Sequence, residues 1–129
     1  MHLFRILVVE DFGPFRRFIC SHLQKRLELQ VTEASDGLEA LRKTEELQPD
    51  LILLDVSLPN LNGMEVARRV RKLAPAARIL FLSLETSSDV IREALSLGAL
   101  GYVNKSRAQT DLLPALDLVL AESDSLPAV

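Results

Sequence analysis

Leu51-Ile52-Leu53-Leu54-Asp55-Val56-Ser57-Leu58-Pro59-Asn60-Leu61-Asn62-Gly63 carries four consecutive aliphatic residues into a single carboxylate and then into a turn-rich loop. Four apolar residues in a row are too few for a helix buried on all sides, but they suit a central parallel strand covered on both faces. Asp55 then stands at the carboxyl end of that strand. In open α/β sheets the ligand crevice lies outside the carboxyl ends of the strands, so Asp55 is a site candidate by position. A lone aspartate at a strand end more commonly opens a loop or caps a helix. Its significance depends on what the rest of the chain brings to the same edge.

Working outward, Arg5-Ile6-Leu7-Val8-Val9 is a second buried strand pattern and ends in Glu10-Asp11. Gly13-Pro14 opens a helix, with proline in the first turn where its missing N–H costs nothing. Phe15, Phe18, Ile19, Leu23 and Leu27 share one face at helical spacing, with Cys20 a small core or boundary residue and His22 nearer the surface. Gln30 to Ala34 reads as a more polar edge strand, and Ser35-Asp36-Gly37 turns into a helix through Leu38, Leu41 and Leu47 that Pro49 stops. After the central loop, Asn62 caps a helix with Met64, Val66, Ala67, Val70 and Leu73 inward, closed by Pro75. Arg78 to Ser83 is the fourth strand, and a helix with Val90, Ile91, Ala94 and Leu95 apolar follows, stopping at Gly98. Leu100 to Asn104 is the fifth strand and delivers Lys105. The last helix carries Leu112, Leu113, Leu116, Val119 and Leu120, and is expected to begin near Thr110 so that Pro114 stays in its first turn. Residues 122–129 read as a frayed end.

Five alternations of strand and amphipathic helix imply a parallel sheet with helices on both faces. With 129 residues and no linker or repeat, the chain reads as one domain, 1–129, with its core over about 5–121. A net charge of −3 argues against nucleic acid binding by this domain, since that requires a clustered positive face. The pairs Arg16-Arg17, Lys25-Arg26, Arg42-Lys43 and Arg68-Arg69 are dispersed and read as solvated faces. The single cysteine fits a reducing cytoplasm, and neither a membrane span nor a signal-peptide pattern is expected.

Four strand ends thus converge: Glu10 and Asp11, Asp55, Ser83, and Lys105. Close carboxylate pairs repel by about 4 kcal/mol at an effective dielectric near 20, so a cation or a proton must offset them. Oxygen ligands with room for water suit Mg²⁺. A carboxylate beside Mg²⁺, with an ammonium and a hydroxyl opposite, is equipment for accepting a phosphoryl group.

The chain resembles the receiver domains of two-component response regulators, the CheY-like superfamily. The resemblance rests on Val8-Val9-Glu10-Asp11, Leu53-Leu54-Asp55-Val56-Ser57-Leu58-Pro59, Gly63, Leu82-Ser83 and Gly98-Ala99-Leu100-Gly101-Tyr102-Val103-Asn104-Lys105. It implies a flavodoxin-like (βα)5 α/β fold with strand order 2-1-3-4-5. It also implies Asp55 as phosphoacceptor and Lys105 as the lysine paired with the phosphoryl group. Asp11, Asp55 and the Ser57 carbonyl would hold Mg²⁺, with Glu10 acting through water. Ser83 would be the switch hydroxyl and Tyr102 the aromatic that moves with it. The implied partner is a sensor histidine kinase or phosphotransfer protein, with a homodimer on phosphorylation. The domain would catalyse only its own phosphorylation and dephosphorylation. The Gly-Tyr-Val-Asn-Lys-Ser end resembles receivers preceding LuxR-type DNA-binding domains, which implies transcription as the output.

Three positions depart from the family pattern: Ser106 where many receivers have proline, Glu85 where a small residue is common, and Pro114 in the last helix. Glu85 and Ser57 are expected to tune the lifetime of the phosphorylated state through water access. Among alternatives, a haloacid-dehalogenase-like phosphatase would want a second aspartate where Ser57 stands, and it would want a cap domain. A nucleotide-binding domain would want a glycine-rich first loop in place of Glu10-Asp11-Phe12-Gly13-Pro14. A pseudo-receiver, binding partners without phosphorylation, is opposed by the intact set of acids, hydroxyl and lysine.

Overall fold

The computed structural model describes residues 3–84 and 87–125, with side chains through residue 121. The strands are β1 (Phe4–Val9), β2 (Leu29–Ala34), β3 (Leu51–Asp55), β4 (Arg78–Ser83) and β5 (Gly101–Asn104). Between and after them lie α1 (Gly13–Leu23), α2 (Gly37–Leu47), α3 (Gly63–Leu73), α4 (Ser88–Ser96) and α5 (Leu113–Ser125). All neighbouring strands pair in parallel, in the order β2-β1-β3-β4-β5. This is the doubly wound fold that the alternation of patterns implied.

Every residue of β3 is buried, because the strand has neighbours on both edges and helices on both faces. Side chains alternate across the sheet. Leu7, Val9, Ile52, Leu54, Ile79 and Phe81 face the layer of α2, α3 and α4. Ile6, Val8, Leu51, Leu53, Leu80, Leu82 and Val103 face α1 and α5. Full burial of each such side chain contributes roughly 1.5–3 kcal/mol, so β3 is held from both layers. No helix among the described residues is long and apolar enough to cross a membrane.

Several expectations need correction. Leu27 does not share the buried face of α1: the helix ends at Leu23 and Leu27 is 92% exposed. In α2, which runs through Leu38, Leu41 and Leu47 as expected, the buried positions are Gly37, Ala40 and Thr44, with Leu41 packed beside them and Leu38 exposed. A small residue is needed at the start of α2 because it packs closely on the loop leading into α3: a Cβ on Gly37 would lie 2.5 Å from the Leu61 carbonyl oxygen. Leu95 of α4 is also exposed, and Ala94 is the residue that this helix buries. Arg71 compensates for that thin contact, donating to the carbonyls of Ala77, Leu97 and Gly98 and so tying the end of α4 to α3.

The last helix begins at Leu113, not near Thr110. A 3₁₀ turn (Lys105–Arg107) and a π-type turn (Ala108–Leu112) precede it. The Leu113 N–H reaches back to the Ala108 carbonyl, five residues away. This wide turn gives room for the Pro114 ring, which would otherwise clash with the carbonyl four residues before it. The backbone remains helical through Ser125 rather than fraying at Glu122, and residues 126–129 lie outside the described residues.

Asn62 caps α3 as expected, its Oδ1 accepting from the Glu65 N–H at 3.0 Å. Asn62→Ala should cost about 1 kcal/mol, seen as a lower urea midpoint at unchanged slope. An unchanged midpoint would remove the cap from the account of why α3 starts at Gly63.

Candidate functional site

The carboxyl ends of β1, β3, β4 and β5 lie at one edge, and hydrogen bonds fix the chain exits from β1 and β3. Glu10 N–H donates to the Ala34 carbonyl, and Val56 N–H to the Leu82 carbonyl, so the parallel ladder persists one residue past the strands. Glu10 and Asp55 are thereby buried, at 0% and 1% exposure, while Asp11 is exposed. One carboxylate oxygen from each of Glu10, Asp11 and Asp55 lies within 4.8 Å of the others.

Lys105 enters from the turn after β5. Its Nζ lies 2.5 Å from Glu10 Oε1 and 3.0 Å from Asp55 Oδ2, and only 14% of its side chain is exposed. The opposite oxygens are held by backbone: Phe12 N–H donates to Glu10 Oε2 at 3.1 Å, and Ser57 N–H to Asp55 Oδ1 at 3.0 Å. Each buried carboxylate therefore offers one oxygen to its own loop and one to the ammonium. Glu10 Oε1 and Asp55 Oδ2 have no directed hydrogen bond among the described residues, although both touch the lysine as ion pairs.

Burial pushes the Asp55 carboxyl up from its ordinary 3.8 to about 7, and the adjacent Glu10 carboxylate reinforces the shift against the pull of Lys105. For Asp11 burial acts upward, but hydrogen bonding with Asp55 and Glu10 outweighs it and holds the carboxyl below its ordinary value. Burial alone would lower Lys105, yet Glu10 and Asp55 beside it raise its pKa, keeping the ammonium charged. The Cys20 thiol is pushed up to about 12 by burial, which suits the packing role read for it.

The residues present fit a small hard cation: a purely oxygen donor set of three neighbouring carboxylates, with Asp11 open to solvent. Ser83 is buried at the end of β4, paired in register with Asn104. Tyr102, two residues earlier on β5, is half-buried against the α2, α3 and α4 side of the core. Ser57 is exposed, with its N–H turned to Asp55. Glu85 lies outside the described residues. The side chains brought together here are those of Glu10, Asp11, Asp55 and Lys105.

Three further residues that no sequence pattern marks as functional border the site. Arg16, read as solvated, donates through its guanidinium to the Glu10 carbonyl at 2.7 Å and pairs with Glu33 at 3.0 Å, bracing the acid pair from α1. Nothing in its spacing distinguishes it from Arg17. Phe15 lies beneath Lys105, its ring centroid 5.4 Å from Nζ. Asn104 Oδ1 accepts from both the N–H and the hydroxyl of Ser106, at 2.9 and 2.8 Å, which shapes the turn where a proline is missing. The Asn-Lys-Ser spacing carried that signal, because an asparagine side chain commonly accepts from the backbone two residues on.

A doubly wound sheet with an acid triad and an ammonium at its carboxyl edge defines the class. A family model described as a response regulator receiver domain matches residues 6–117, and the chain belongs to that family, a signalling domain of two-component systems. Among its relatives, the transcriptional activator protein ExaE of Pseudomonas putida is 38% identical over 117 residues, covering 90% of this chain and 55% of ExaE. The chain therefore spans little more than half the length of that relative. Two solved structures are similar throughout. A LuxR-family two-component response regulator from Aurantimonas sp. SI85-9A1 has a TM-score of 0.81 at 34% identity, covering 92% of this chain and 85% of that one. Chemotaxis protein CheY4 of Vibrio cholerae has a TM-score of 0.81 at 32% identity, covering 91% and 98%. Domains of this family bind Mg²⁺ at an acidic pocket and interact with histidine kinases or phosphotransfer partners.

Proposed function

We propose that residues 1–129 form a single phosphoacceptor receiver domain, with its core over about 5–121, that takes a phosphoryl group on Asp55 from a histidine kinase or phosphotransfer protein in the cytoplasm. The observation that carries this reading is the environment of Asp55. Its Oδ1 is fixed by the Ser57 N–H, and its Oδ2 lies 3.0 Å from a charged lysine and beside two further acids. Asp11, Asp55 and the Ser57 carbonyl would hold Mg²⁺, with Glu10 acting through water. The bound ion would supply charge neutralisation to the phosphoryl oxygens.

In the transfer, an Asp55 carboxylate oxygen forms a bond to phosphorus as the bond from phosphorus to the donor imidazole nitrogen breaks, and the freed imidazole keeps that electron pair. Lys105 neutralises charge on the phosphoryl group, and its pairing with Glu10 keeps it charged and in place. Water later attacks the phosphorus, regenerating the carboxylate and releasing phosphate. Ser83 supplies the hydroxyl that reports occupancy, and Tyr102 repositions with it. Ser57 and Glu85 set water access and hence lifetime.

The output is a changed surface around α4, β5 and α5 that controls transcription through a DNA-binding domain, by way of a homodimer. The relative's name as a transcriptional activator supports that direction. The net charge of −3 supports no direct nucleic acid contact by this domain. The domain catalyses only its own phosphorylation and dephosphorylation.

Incubation with Mg²⁺ and acetyl phosphate, followed by intact mass, tests the reading. A labile adduct of one phosphoryl group is the expected result. A parent protein that stays unmodified at saturating donor would favour a partner-binding pseudo-receiver.

A further inference from the structure

We propose that Phe15 is a positioning residue for Lys105: its ring forms a seat that holds the ammonium against Glu10 and Asp55. The inference rests on the phosphoacceptor reading for its catalytic consequence, though not for the seat itself.

Lys105 reaches the site on a flexible four-carbon stem from a turn shaped by Asn104 and Ser106. Its carboxylate partners, at 2.5 and 3.0 Å from Nζ, draw the charge toward the acid pair from one side only. The Phe15 ring, 5.4 Å from Nζ, adds the negative face of an aromatic quadrupole. Phe15 is itself fixed. It lies in the first turn of α1, immediately after Pro14, and stacks on Phe18 with centroids 6.0 Å apart. Its ring is half-buried at the edge of the α1 and α5 layer of the core. A leucine could fill that edge, so packing alone does not demand an aromatic ring. The ring also walls an open hollow of about 440 Å³ that it shares with Phe12, Pro14, Phe18, Leu84 and Lys105.

The test is a double-mutant cycle of Phe15→Leu and Lys105→Met, with Phe15→Tyr as the conservative variant and thermal unfolding to verify folding. The rate of adduct formation from acetyl phosphate at saturating Mg²⁺ should fall about three- to tenfold in Phe15→Leu. It should stay near the parent in Phe15→Tyr, and Phe15→Leu should add no further loss in the Lys105→Met background. An equal loss in that background would overturn the proposal, because the effect would then not pass through the lysine.

A second readout needs no phosphoryl chemistry. The Lys105 side-chain proton resonances should lie upfield in the parent and in Phe15→Tyr, and should move downfield toward those of the other lysines in Phe15→Leu. Unmoved resonances would refute the seat. A parent that forms no adduct would overturn the phosphoacceptor reading, and with it the catalytic part of the proposal. The resonance shift then decides the seat separately.

Discussion

Asp55→Asn is expected to leave no labile phosphoryl adduct and, in metal-free solution near pH 8, to raise the melting temperature by about 5 °C. The first effect follows because the amide has no carboxylate oxygen to attack phosphorus. The second follows from the electrostatics of the edge. In the folded chain Asp55 is buried beside Glu10, and its pKa stands at about 7 against an ordinary 3.8. Below about pH 4 the group is protonated in both folded and unfolded chains. Between about 4 and 7 the folded chain keeps the proton while the unfolded chain has lost it, so stability falls as pH rises through this window. Above about 7 the folded chain carries the full penalty of a buried like-charge neighbour. Asparagine removes that charge while Lys105 retains Glu10, a gain of about 1–3 kcal/mol.

The same argument predicts that Mg²⁺ stabilises the parent more strongly at pH 8 than at pH 5, because the ion competes with the proton for the same oxygens. It should stabilise Asp55→Asn much less. Melting temperatures across pH 4–8, with and without Mg²⁺, check both statements. A metal-free parent whose stability rises steadily from pH 5 to 8 would show that Asp55 is not the acid carrying the strain.

Gly63→Ala is expected to destabilise the protein by about 3 kcal/mol or more, near 10 °C in melting temperature, and to slow phosphorylation with it. A Cβ at this position would lie 2.2 Å from the Asp55 carbonyl oxygen and 2.8 Å from the Val56 Cα. Both are backbone atoms with no rotamer to move aside. The glycine is required here by close approach: its own N–H donates to the Val56 carbonyl at 2.9 Å, drawing the start of α3 onto the end of β3. A methyl group would drive the two apart and shift Asp55 and Ser57 from Lys105, which enters independently from β5. Loss of phosphorylation should therefore accompany loss of stability. A variant that melts within 1 °C of the parent would mean that the loop yields more easily than its contacts imply.

Much of this site is legible in the sequence. Val8-Val9-Glu10-Asp11 and Leu53-Leu54-Asp55 each announce a buried strand that ends in acid, and parallel strands connected through helices must end at the same edge. Asn62 and Pro14 were likewise readable, since capping and first-turn preferences act within a few residues. Hydrophobicity alone misplaces Leu27: helical spacing puts a residue on a face but does not say where the helix stops. The start of α5 was misread because a single proline can be accommodated by widening the preceding turn, which local propensity does not reveal.

Strand ends are legible in the residues alone, and with them the edge to which the carboxylates and the lysine come, because alternation and strand polarity are local properties with a global consequence. How those groups meet is a matter of tertiary packing. It buries Glu10 and Asp55 while leaving Asp11 open, turns the Ser57 N–H toward Asp55, and places Phe15 and Arg16 of α1 against groups from β5 and β1. Those relations depend on the docking of whole elements, set by the summed fit of two core layers. No short stretch of sequence encodes that fit, and it is what raises the Asp55 pKa and holds the lysine in reach.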